Sequence, residues 1–419
     1  MLLIEEKQIP INIELVNMRS YGDKPNSFLQ MVPNGLLPAL IVEVDNGRKQ
    51  VITESGVIMK LLDEWFSTEN GYRYMMPEDD MGKKRHDVLA RLERDLFSWW
   101  CTLLFRPEIP SPGNLLSKLT GQESMSPSMK GFLDCVKQVD EELASTNGPW
   151  FFDSSHPMMI DFIYISHVER MLASVAYWKG FNIRDCGKFP ALDQWLNAFD
   201  ERESYLAFKS DFYTNVKDIP PQYGPPFFGG GDRIEEYTGI IAGGSSWKLP
   251  LSHDDPLQPL YRGLPLPSIV LEAMELQDYK NADPKKMAIA CRHMAAWKLA
   301  SNGENVSKFA SRGGSNGAKN PRKTFAADLA DPYANSDETI FPVVENVLQV
   351  VCEALLDTEY DIPPQEYEEK LKVLDNNSAD VVNSLKYLRD RIGVPRDLPL
   401  ASARYLRAYL NWSIDCISS

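Results

Sequence analysis

This 419-residue chain has no apolar run approaching the ~20 residues that cross a bilayer as a helix; its most apolar stretch, Leu36–Val42, suits one buried strand. Positive charge is also in short supply. Lys and Arg number 44 against 59 Asp and Glu, a net charge of −15. That balance disfavours nucleic acid and anionic membrane surfaces as partners, since both need a basic face. No C-x-x-C pair occurs. The six cysteines (Cys101, Cys135, Cys186, Cys291, Cys352, Cys416) are scattered, as in large chains that keep their thiols reduced and buried. Cys291 and His293 do not share a helical face and no ligand cluster lies near them, so no metal site is expected. The opening Met-Leu-Leu-Ile-Glu-Glu-Lys turns acidic at once, unlike a secretory signal. A reducing compartment, plastid or cytoplasm, is expected.

What remains is ordinary for a globular chain of two or three domains: 43% hydrophobic and 25% charged residues. Residues 1–66 alternate in pattern. Leu2–Lys7 reads as the end of a helix, Ile9–Val16 as a strand, and Pro25 as the opening of a short helix. Pro38–Val44 reads as a buried strand, Asp45-Asn46-Gly47 as a hairpin turn and Lys49–Thr53 as the returning strand. Ser55–Phe66 has helical spacing through Val57, Ile58, Leu61, Leu62, Trp65 and Phe66. This order is that of a thioredoxin-like domain with its first strand missing, so a strand and a helix start are expected upstream of Met1.

Helical periodicity then takes over in Asp87–Phe105, Met125–Leu143, Ile160–Trp178 and Pro190–Phe199, a helical bundle. The run Pro220-Pro221-Gln-Tyr-Gly-Pro225-Pro226-Phe-Phe-Gly229-Gly230-Gly231 reads as linker or ordered loop. Helical spacing returns from Pro267. The expected domains are 1–78, 79–217, a Pro/Gly-rich linker over 218–266, and an all-helical extension over 267–419. Arg312–Lys323 is basic and glycine-rich but lacks the G-x-x-x-x-G-K-[ST] pattern, so it reads as a mobile basic loop and not a phosphate loop. His253-Asp254-Asp255 has no nameable partner.

Asp23-Lys24-Pro25 with Phe28, Val32-Pro33-x-Gly35, Leu37-Pro38-Ala-Leu and Ile52-Thr-Glu54-Ser55 occur in an order and spacing that resemble the N-terminal domain of glutathione transferases. The likeness is to the omega, lambda and dehydroascorbate-reductase-like classes. Residues 80–212, with Phe189-Pro190-Ala-Leu-x-x-Trp195, resemble the helical second domain of that family. Residues 213–419 resemble the C-terminal extension of long plant and algal members, through Val394-Pro-Arg-Asp-Leu-Pro-Leu. The resemblance implies glutathione as co-substrate, an electrophilic or oxidised small molecule as second substrate, and a homodimer as an assembly the family permits.

The chemistry of the matched residues suits a peptide ligand. A residue before a cis-proline turns its N–H and C=O outward, so Leu37 with Pro38 can bind a peptide backbone as an added strand. Pro38 alone would read equally well as a trans-proline starting an edge strand; in this motif the cis form is expected. Ser55 opens a helix whose free N–H groups and dipole attract a carboxylate, although Thr53 or Ser55 could simply cap that helix. The resemblance assigns the anion as the γ-glutamyl carboxylate, gives Glu54 the ammonium, and gives Lys24 a glutathione contact. Lys24 alone reads as a solvated loop lysine. Trp99, Trp100, Phe105 and Arg106 fall on the helix that the resemblance turns toward the second substrate, yet aromatics at this spacing are also common core. The family's Cys, Ser or Tyr nucleophile position aligns before Met1, so no residue here takes that role. Two functions stay open: a glutathione-dependent transferase or thiol/dehydroascorbate-type reductase, and a non-catalytic scaffold or protein-binding module of the same architecture.

Overall fold

A computed structural model describes residues 1–14, 16, 24–44, 47–107, 125–229, 233–243, 251, 255–260, 266–273, 283–317, 335–374 and 378–419. The chain divides into two compact units. One comprises Met1–Leu103, Glu108–Val168 and Gly187–Ala198; the other comprises Leu104–Pro107, Glu169–Cys186 and Phe199–Ser419.

The first unit begins with helix α1 (Leu2–Lys7), α2 (Asn26–Met31), strands β1 (Ala39–Val44) and β2 (Arg48–Thr53), and α3 (Ser55–Trp65). β1 and β2 form an antiparallel hairpin in register Ala39↔Thr53 through Val44↔Arg48. Its turn residues Asp45 and Asn46 lie outside the described residues. Gly47 follows at φ 70°, a conformation glycine adopts without a Cβ penalty. The strand expected over Ile9–Val16 does not form among the described residues, where the two-stranded β1–β2 hairpin is the sheet. Ile9 is buried but Ile13 is 38% exposed. The alternation marks an extended amphipathic segment without supplying a partner strand, and Pro10 offers no ladder donor.

Helix α3 buries Ile58, Leu62 and also Asp63. Asp63 is fully enclosed and meets the buried Lys7 ammonium of α1 at 2.5 Å. Its oxygens also accept the Met75 and Met76 backbone N–H groups, each at 3.1 Å. The Met75 carbonyl in turn accepts the Met159 N–H at 2.9 Å.

Five helices continue the chain: α4 (Asp80–Phe105), α5 (Pro127–Ala144), α6 (Met159–Lys179), α7 (Pro190–Asp200) and α8 (Glu203–Leu206). α4 starts earlier than its apolar spacing suggests because the Asp79 carboxylate receives the Gly82 N–H at 2.8 Å, an N-terminal cap. α5 starts at Pro127 behind Ser126, whose hydroxyl accepts from Met129 N–H. Asp161, wholly buried in the first turn of α6, accepts from Met158 N–H at 2.8 Å, Phe151 N–H at 3.3 Å and the Trp195 indole at 2.8 Å. Burial pushes its carboxyl up to about 7 despite those donors.

The second unit is richer in structure than its composition suggests. The region read as a Pro/Gly-rich linker holds the second half of α9 (Phe212–Tyr223) and all of α10 (Arg233–Ala242). Pro220 and Pro221 sit inside α9 near its end. Their missing donors fall after the buried Tyr213, Val216 and Ile219, so the apolar face survives them. α11 (Ser268–Ala273), α12 (Pro284–Ala300), α13 (Gly303–Ser311), α14 (Phe341–Leu356), α15 (Gln365–Val373), α16 (Ser378–Arg389) and α17 (Leu400–Ser418) complete the order. α17 is buried on nearly all sides and packs against α12, α15 and α16, the mark of a central core helix.

Lys7→Met leaves the Asp63 carboxylate buried without its cation. It is expected to cost about 3 kcal/mol or more, read as a lower urea midpoint of the full chain with unchanged helical circular dichroism at zero denaturant.

Candidate functional site

The hairpin register decides which of the expected ligand residues meet. It ends at Ala39↔Thr53, so Leu37-Pro38 and Glu54-Ser55 adjoin that pair at the same end of the hairpin. The loop leading into β1 is shaped locally. The Asn34 side-chain oxygen accepts the Leu36 N–H at 3.0 Å, and Gly35 takes φ 63°. The Lys24 ammonium donates to the Gly35 carbonyl and lies 5.6 Å from the Phe28 ring centroid. Lys24 therefore braces the loop from beneath.

Leu37–Pro38 is cis, as the motif implies. Leu37 is 44% exposed, and among the described residues neither its N–H nor its carbonyl has a hydrogen-bond partner. This is the free backbone pair that strand addition needs.

Glu54 sits between β2 and α3 at φ 73°, ψ 107°. A non-glycine residue rarely holds a positive φ; such a conformation costs ~1–3 kcal/mol and persists only where its surroundings impose it. Here the strand fixes one side and the helix the other. The Glu54 carbonyl already accepts the Ile58 N–H at 3.0 Å, while its side chain makes no cap bond to the helix. Glu54, Ser55, Gly56 and Val57 are all exposed, so the first N–H groups of α3 face solvent at the positive end of its dipole. The end of the hairpin thus offers a free backbone donor–acceptor pair, an uncapped helix N-terminus and an uncommitted carboxylate. A zwitterionic peptide end fits that set. The sequence motif marks Glu54 and Ser55, but nothing in it foretells the Glu54 conformation or the role of Asn34.

The four aromatic and basic residues of α4 and its end separate by environment. Trp100 is 1% exposed and packs on Phe97 at 5.4 Å between ring centroids; it is core and presents no face to a ligand. Trp99 is 40% exposed and lies flat enough against α5 that a Cβ at Gly131 would collide with its ring. In the second unit, Phe105 stacks on Tyr223 at 5.7 Å, and Arg106 is exposed.

Burial disfavours the thiolate at four of the six cysteines: it pushes the Cys135 and Cys416 thiols up to about 11 and Cys291 up to about 12, and raises Cys352 too. Nor is the described half of the basic loop a phosphate cradle: Ser315 and Asn316 already donate their N–H groups to Asp380 and Asp337, each at 3.0 Å. Residues 318–323 of that loop, and His253 and Asp254, lie outside the described residues. Among the described residues no group of three or more His, Cys, Asp or Glu is arranged to hold a metal ion.

Because the strain at Glu54 comes from a Cβ at positive φ, removing that Cβ relieves it. Glu54→Gly is expected to hold or raise stability by up to about 1 kcal/mol, whereas Thr53→Gly, one residue earlier in β2, lowers it by a similar amount; differential scanning calorimetry of the two variants checks this.

Comparison with known proteins agrees with the N-terminal part. No curated protein matches the chain. One solved structure, of Leishmania TDR1, described as a unique trimeric glutathione transferase, aligns at 14% identity with a TM-score of 0.42. The alignment covers 93% of this chain and 78% of that one; a likeness this distant carries no argument. The family model of the glutathione S-transferase N-terminal domain matches residues 1–65. That match spans the whole hairpin site, and residues 1–65 are thus similar to the N-terminal domain of glutathione S-transferases.

Proposed function

We propose that this chain binds glutathione at the hairpin end and acts as a glutathione-dependent transferase or thiol/dehydroascorbate-type reductase of the omega-like kind. One observation carries the reading: the exposed Glu54, held at positive φ directly before the open N-terminus of α3, adjoins the same hairpin end as Leu37, whose backbone has no hydrogen-bond partner among the described residues. In this reading Leu37 pairs with the ligand's central peptide as a short added strand. The N–H groups of Ser55 and Gly56, with the Ser55 hydroxyl, receive the γ-glutamyl carboxylate. Glu54 takes the ammonium. Lys24 holds the loop through Gly35 and brings positive charge to the side where the glycine carboxylate would lie. The ligand thiol is left pointing away from these contacts, for a second substrate that is electrophilic or oxidised.

A second reading, a binding or scaffold protein that uses the same architecture without turnover, draws support from the buried, protonated thiols of Cys135, Cys291 and Cys416. Both readings share the glutathione site and divide on chemistry.

Calorimetric titration of the full chain with glutathione should give a saturable isotherm. Ser55→Ala and Glu54→Gln are each expected to weaken it ~10–100-fold, the worth of a charge-assisted hydrogen bond. Unchanged affinity in both variants would remove this site from consideration. Glutathione binding without transferase or reductase turnover would select the scaffold reading.

A further inference from the structure

The stretch that carries Leu37 is held in place without a core. Val32 is 2% exposed, and β1 pairs with β2 from Ala39 onward. Between them no residue is buried: Pro33, Asn34, Leu36, Leu37 and Pro38 are exposed and Gly35 is half-buried. Packing therefore cannot set the direction of the Leu37 backbone, yet a strand-adding residue must point its N–H and carbonyl one way. Hydrogen bonds have to supply that order.

Those bonds fall on successive backbone groups. The Gly35 N–H donates to the Val32 carbonyl at 2.8 Å. The Lys24 ammonium donates to the Gly35 carbonyl. The Leu36 N–H donates to the Asn34 side-chain oxygen at 3.0 Å. The last two grip one object, because the Gly35 carbonyl and the Leu36 N–H belong to the same planar peptide unit. Lys24 holds one end of that plane and Asn34 the other. The plane needs holding: Gly35 sits at φ 63°, and a glycine there offers little resistance to a peptide that turns over beside it. Next along the chain comes Leu37.

Asn34 reaches its half of the grip by a short local ring. An Asn or Asp side-chain oxygen closes onto the N–H two residues later, which a side chain one methylene longer does not reproduce. Only the oxygen is used, so the Asn34 amide nitrogen is irrelevant to the grip.

On the glutathione reading of the hairpin end, on which this rests, we infer that Asn34 is a positioning residue: through the Leu36 N–H it fixes the Gly35–Leu36 peptide and so presents Leu37 to the ligand. Without it, the backbone before Leu37 regains freedom that binding must remove again.

The test is calorimetric titration of the full chain and its variants with glutathione. Asn34→Ala should bind about tenfold more weakly, the worth of one backbone residue's order. Asn34→Asp keeps the acceptor and should bind within about twofold of the unmodified chain, whereas Asn34→Gln should resemble Asn34→Ala. An Asn34 amide that donated to the ligand itself would give another pattern, with Asn34→Asp as weak as Asn34→Ala. Amide hydrogen exchange supplies a readout without ligand: the Leu36 N–H should exchange about tenfold faster in Asn34→Ala but not in Asn34→Asp, with the Ile58 N–H unchanged in both. Equal glutathione affinity in Asn34→Ala, in a chain whose affinity still falls on Ser55→Ala, overturns the positioning role and leaves the glutathione reading intact. Unaltered Leu36 exchange overturns the grip itself. An unmodified chain that does not bind glutathione overturns both readings.

Discussion

The Asp63 carboxylate is the point on which the first unit turns. It is a buried charge, tolerable only because Lys7 and two backbone N–H groups meet it at once. The donors come from α1 and from the segment after α3, and one hydrogen bond further on the Met75 carbonyl accepts from Met159 at the start of α6. A second buried carboxylate, Asp161, takes over two residues later and fastens α7 through the Trp195 indole. A continuous buried polar line thus runs from the first helix through α3 and α6 to α7. The hairpin end inherits its position from that line, because α3 carries Asp63 in its interior and Ser55 at its head.

The second unit uses the same device with opposite charge at its centre. Arg407, 1% exposed on α17, pairs with Asp211 at 2.6 Å and donates to the Ile392 carbonyl at 3.3 Å. Burial opposes ionisation of Asp211, but the guanidinium and the Thr214 donors overcome it and hold the carboxyl below its usual range. Asp390 accepts from Tyr213 and from Arg389 and lies 3.5 Å from Lys217. These bonds join α9 to α16 and α17, so α9 belongs with the extension as firmly as with the helices before it.

Periodicity and turn chemistry made most elements legible. The α2 start at Pro25, the hairpin around Gly47 and the apolar faces of α3 to α7 all follow from local rules that the structure obeys. Local rules do not name partners. The alternation over Ile9–Val16 looks like a strand but carries no information about a neighbouring strand. Pro220 and Pro221 look like helix breakers, yet a helix whose buried face is complete before them absorbs both. The same limit divides the candidate site. The types and spacing of Leu37, Pro38, Glu54 and Ser55 stand in the sequence, whereas the Glu54 backbone angle and the capture of Lys24 by Gly35 arise only when the hairpin closes. Trp100 could be assigned to core or ligand wall from spacing alone, and only burial decides for core.

The central position of α17 has a kinetic side. Its partners lie far upstream: Arg407 reaches Asp211, Tyr409 reaches Arg292, and next to it Asp390 reaches Tyr213 across 177 positions of sequence. Contacts this remote are made late, after large loops have closed. α12, α15 and α16 are synthesised before the helix they pack against, and must wait with apolar faces bare. Exposed apolar faces of this kind are what makes late-closing helical units prone to aggregate before they are complete.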